Sequence, residues 1–77
     1  MNDSEYLRKI GLKLKIYRSL KGYSQDDIVS KLDVDKSYYS KVERGLTNPT
    51  LLYLKHVSEI LDVNLSCLLY TSDAADE

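Results

Sequence analysis

Apolar residues recur along this chain at helical spacing, and nowhere do they alternate with polar ones as a strand would require. Leu7, Ile10, Leu14 and Tyr17 share one face, with Arg8, Lys9, Lys13, Lys15, Arg18 and Lys21 around the rest. That pattern predicts an amphipathic first helix over residues 5–21, with Gly22 placed as a left-handed C-terminal cap. Ser24 is a good N-cap for a short second helix, QDDIVSKL, which buries Ile28, Val29 and Leu32. The Asp27 carboxylate, three residues after the cap, suits the positive end of the helix dipole. The chain must turn sharply at Asp33. Asp35 then caps a third helix, KSYYSKVERG, ending at Gly45. After a loop at LTNP, Thr50 caps a fourth helix carrying Leu51, Leu54, Val57, Ile60 and Leu61; Asp62 breaks it, and VNLS begins a fifth. The predicted fold is all-α, a compact bundle of four to five short helices in one domain. Its core should join Leu14, Tyr17, Ile28, Leu32, Val34, Tyr39, Val42, Leu51, Leu54, Val57 and Leu61 in one cluster.

Composition narrows the class. A chain of 77 residues, 43% hydrophobic and 30% charged, has room for one small globular domain. It has no apolar run long enough for a bilayer, and MNDSEYLRKI lacks the features of a signal peptide. A cytoplasmic protein without a membrane partner is therefore expected. The single Cys67 excludes an intrachain disulfide and any cysteine-based metal site. His56, the only histidine, reads as an exposed polar residue. No metal or cofactor is expected.

The formal net charge of −1 argues against a nucleic-acid partner until the last residues are considered. Residues 67–77 read CLLYTSDAADE. Back-translated in one frame, every one of them resembles the transposase mosaic end and flanking adapter of tagmentation sequencing libraries. A natural, acidic, frayed C-terminus is the plain alternative. On the adapter reading the domain covers residues 5–66, residues 67–77 are a foreign tail, and the native gene continues differently after Ser66. Leu68 and Leu69 can still pack onto an apolar groove whether or not they are native. Without Asp73, Asp76 and Glu77, residues 1–66 carry 11 basic and 9 acidic side chains, so the net charge is 11 − 9 = +2.

Two short helices joined by about three residues have the geometry of a helix-turn-helix, whose second helix enters the major groove while the first crosses the backbone. The segment SQDDIVSKLDVDKSYYSKVERGLTNPTLLYLKHVSEILDV resembles the Cro/cI-type (Xre-like, lambda-repressor-like) helix-turn-helix family. The family pattern runs S-Q-x-x-L-A-x-x-x-G-V-S-x-x-x-I-S-x-x-E-R-G-x-x-x-P-x-x-x-x-L, and the likeness extends over nearly all of residues 10–65. Two departures stand out. Val29 replaces the usual alanine where the helices approach, and Asp33 replaces the turn glycine. Asp tolerates a left-handed backbone, so the turn should survive.

Helical phase sorts the third helix: Tyr39, Val42 and Leu46 should face the core, with Lys36, Ser37, Ser40, Lys41 and Arg44 on the other side. Lys can donate to guanine O6 and N7, and Ser can serve any base edge. The resemblance implies that Lys36, Ser37 and Lys41 read bases. It also implies that Gln25 and Arg44 hold phosphates, and Ser40 and Tyr38 are counted with them. Tyr38 has a second reading, as a cover on the edge of the core. By the same resemblance Arg18 and Glu43 form an ion pair tying the first helix to the third. Such a pair orients more than it stabilises, because desolvation offsets its attraction.

There is no nucleophile–base pair and no acidic cluster with metal spacing, and Gly11, Gly22 and Gly45 are too scattered to cradle a phosphate. An enzyme is not expected. The implied function is a repressor-like transcriptional regulator, binding double-stranded operator DNA as a homodimer on a pseudo-palindromic site. The alternative is a protein-interaction module, such as an antitoxin or anti-repressor, that keeps the fold and binds another protein.

Overall fold

The computed structural model describes residues 2–70. Five helices follow one another: α1 (Asp3–Leu20), α2 (Gln25–Leu32), α3 (Lys36–Glu43), α4 (Leu51–Leu61) and α5 (Leu65–Leu69). Their starts are set by side-chain caps. Ser24 Oγ accepts from the Asp27 amide while Asp27 accepts from the Ser24 amide, and Asp35 and Thr50 accept from the amides of Tyr38 and Tyr53. α1 begins two residues before the expected position, because Asn2 and Glu5 form the same reciprocal box.

Helix ends are set by left-handed residues. Asp33 takes φ 57°, as the turn demanded, and Asp62 ends α4 at φ 59°. Gly45, at φ 72°, stops α3 at Glu43, two residues short of the expected end. There the Gly45 amide donates to the Val42 carbonyl and the Leu46 amide to the Lys41 carbonyl. Leu46 therefore leaves the helical phase and is 63% exposed, contrary to its expected core position.

The core unites Ile10, Leu14, Ile28, Tyr39, Val42, Leu54, Val57, Leu61 and Leu68. Tyr17, Leu32 and Val29 are half-buried against it, and Val34 is half-buried. Leu51 is a correction: as the first residue of α4 it points outward and is 61% exposed. Leu68 is fully buried between α1 and α4, the Tyr6 hydroxyl donates to the Leu69 carbonyl, and Lys13 Nζ donates to the Tyr70 carbonyl. The described part of the expected foreign tail thus completes the core. Its remainder, residues 71–77, lies outside the described residues. No helix among the described residues is long and apolar enough to cross a membrane.

Candidate nucleic-acid interface

α3 is held by one buried carboxylate. Glu43 accepts from Arg18 Nε at 2.6 Å and Arg18 Nη2 at 3.2 Å, from the Tyr39 hydroxyl at 2.7 Å and from Gln25 Nε2 at 2.9 Å. Arg18 spends Nη1 on the Tyr23 carbonyl. One side chain of α3 therefore ties α1, α2 and its own helix together. The Arg18–Glu43 pair is present as the resemblance implied. Tyr39 and Gln25 were not foreseen as its partners, although the four-residue spacing of Tyr39 and Glu43 puts them on one helical face.

Electrostatics agree with this geometry. Burial alone would raise the Glu43 pKa, but hydrogen bonds from Arg18, Tyr39 and Gln25 outweigh it and hold the carboxyl below its ordinary value. The hydrogen bond to Glu43 raises the Arg18 pKa against the opposing effect of burial. Burial, then the bond to Glu43, pushes the Tyr39 phenol well above its ordinary value, so it remains a donor. The node stays one carboxylate, one guanidinium and two neutral donors. Its net charge is zero.

Because Tyr39, Val42 and Glu43 face inward, the opposite side of α3 is left to solvent. Ser37, Lys41 and Arg44 are exposed there, Ser40 is half-buried, and Lys36 reaches Asp26 at 2.8 Å with both side chains largely in water. An exposed pair of that kind is worth about 0–1 kcal/mol, so it leaves Lys36 free to exchange its partner. Arg44 Nε lies 3.4 Å from the Ser40 carbonyl. Gln25 stands apart from this set, since its amide nitrogen is committed to Glu43. The Tyr38 ring packs edge-on against Tyr53 at 5.2 Å and 78°. The Tyr53 hydroxyl is buried without a hydrogen-bond partner among the described residues, and burial pushes its pKa up to about 12.

Arg8 and Lys15 of α1, which the sequence marks only as part of the polar side of the first helix, line a groove beside Ser40 and Arg44. Their signal was one of position only: seven residues apart, they fall on one side of α1.

Residues 14–66 match the helix-turn-helix family model HTH_3. The transcriptional regulator SinR of Bacillus subtilis is 48% identical over 61 residues, which cover 78% of this chain and 55% of SinR. The control protein C.MunI of a Mycoplasma species is 37% identical over 67 residues, covering 86% of this chain and 88% of that protein. Among solved structures, the crystal structure of SinR, master regulator for biofilm formation, in complex with DNA superposes with a TM-score of 0.75 at 47% identity, over 79% of this chain and 98% of that one. The chain spans 55–61% of the length of the two SinR proteins it matches.

Proposed function

The chain belongs to the helix-turn-helix family that its residues 14–66 match, and from that premise we propose that it is a repressor-like, sequence-specific DNA-binding transcriptional regulator. The observation that carries this reading is the Glu43 node, which fixes α3 so that its Lys and Ser side chains face outward as a set. In a major groove, Lys36, Ser37 and Lys41 read base edges, while Ser40 and Arg44 meet phosphates. Gln25 and Tyr38 stand at the rim of that surface. Gln25 has its amide oxygen left for a bridging contact, and Tyr38 has the outer edge of its ring. The co-crystallisation of SinR with DNA supports the reading. We extend it to a cytoplasmic, non-enzymatic homodimer on a pseudo-palindromic operator, with residues 5–66 as the DNA-binding domain and residues 67–77 derived from an adapter.

The test is selection of duplexes from a random library, followed by salt titration of binding to the selected duplex and to a scrambled one. A DNA regulator prefers the selected sequence, and its log affinity falls linearly and steeply with log salt. Failure to enrich any duplex would overturn the reading in favour of a protein partner.

A further inference from the structure

We propose that the groove between α1 and α3 is a second wall of the DNA-backbone site, in which Arg8 and Lys15 neutralise phosphates beyond those reached by α2 and α3; the inference rests on the DNA-binding reading above. The open groove offers about 670 Å³ and holds Ser40 and Arg44 on one wall, Arg8 and Lys15 on the other, with Gln25 at its margin. Two glycines bring the walls together. A β-carbon on Gly11 would collide with the backbone of Glu43 and Val42, and one on Gly45 would fall 2.7 Å from the Arg8 α-carbon. α1 therefore lies backbone-to-backbone on the end of α3, and its cations join those of α3.

The charge of the groove is positive without compensation. Among the described residues its only carboxylate, Glu43, is spent on Arg18, and no ion pair there involves Arg8, Lys15 or Arg44. All three side chains are exposed. Seven residues of helix set Arg8 and Lys15 about 10 Å apart, far enough to serve separate phosphates. The groove is also continuous with the outward face of α3, so a strand running past Ser40 and Arg44 passes the α1 cations next. A simpler role for Arg8 and Arg44 is to offset the negative C-terminal end of α3. That role predicts an effect on folding and none on DNA.

Salt titration separates the two. Arg8→Gln and Lys15→Gln, alone and together, are compared with the parent and with Lys55→Ala, a cation outside the groove, on selected and scrambled duplexes. Thermal midpoints are measured alongside. Each groove variant should lower the slope of log affinity against log salt by about 0.9, and the pair by about 1.8, equally on both duplexes. Lys55→Ala should leave the slope unchanged, and Arg8→Lys and Lys15→Arg should restore it. Parental slopes in both Gln variants, alongside a flattened slope for Arg44→Ala, would overturn the inference while sparing the DNA-binding reading. A parent that binds neither duplex would overturn both.

Discussion

The Glu43 carbonyl oxygen of α3 lies well inside van der Waals contact of the place a β-carbon on Gly11 of α1 would take. The obstacle is main chain at the end of a capped helix, which cannot rotate aside. Two effects oppose each other in Gly11→Ala. Helix propensity favours Ala by about 1 kcal/mol, whereas overpacking a closed contact costs about 1–3 kcal/mol. With backbone as the neighbour, the second should win. A thermal melt should show a lower midpoint, and a raised one would mean that the two helices do not touch.

The Glu43 node makes stability depend on pH. Folding lowers the Glu43 pKa, so the unfolded chain binds more protons there and stability rises with pH through that range. The contribution is complete above the unfolded value of about 4.3 and is lost as the pH falls through the lower folded value. Denaturant titrations from pH 7 downward should therefore show this loss in the parent and a shallower one in Glu43→Gln. At pH 7 that variant should be less stable by about 3 kcal/mol, because Arg18 keeps a buried charge without its partner. Matching pH profiles in the two proteins would remove Glu43 from the account.

Much of this arrangement was legible in the sequence because it is local. Ser24, Asp35 and Thr50 announce their helices through a single side-chain bond each, and Asp33 announces its turn. The Asn2 cap carries the same signature but stands five residues ahead of Leu7, where the apolar face of the first helix begins. Helical phase misplaces Leu46 and Leu51, because beyond Gly45 and at the first residue of α4 the chain has left or not yet joined the period. The partnership of Gln25 with Glu43, 18 residues apart, depends on how three helices cross, which no local pattern encodes.

The corrected phases can be measured. Leu54→Ala, at a nearly closed core position, should cost about 2–5 kcal/mol. Leu32→Ala, half-buried, should cost less, and Leu51→Ala, on the surface, should stay within about 0.5 kcal/mol. Urea denaturation of the three variants gives the order directly. A Leu51 cost equal to that of Leu54 would restore the original phase.

The adapter origin proposed for residues 67–77 has a consequence at Leu68. That side chain is fully buried beneath α1 and α4, and any native continuation must close the same gap. Sequencing the source locus by a library method without transposition should reveal different codons after Ser66 and a bulky apolar residue at position 68. Recovery of the codons for CLLYTSDAADE would show the tail to be native.

Lys41 and Arg44 should separate base reading from backbone binding. Lys41 stands in the last turn of α3 on the face away from Tyr39 and Val42, with no ion pair among the described residues. Its ammonium can thus enter the groove and donate to a guanine edge. Lys41→Ala should cost about 1–3 kcal/mol on the selected operator and relax preference at one position, with little loss on scrambled DNA. Arg44 caps the end of α3 at the mouth of the basic groove, where a sugar–phosphate chain would pass. Phosphates carry no sequence information, so Arg44→Ala should weaken both duplexes alike and flatten the salt slope by about one counterion. Gln25→Ala should weaken both duplexes without changing the slope, since it removes no charge and loosens the Glu43 node that aims α3. Equal loss on both duplexes for Lys41→Ala would move that residue from base to phosphate.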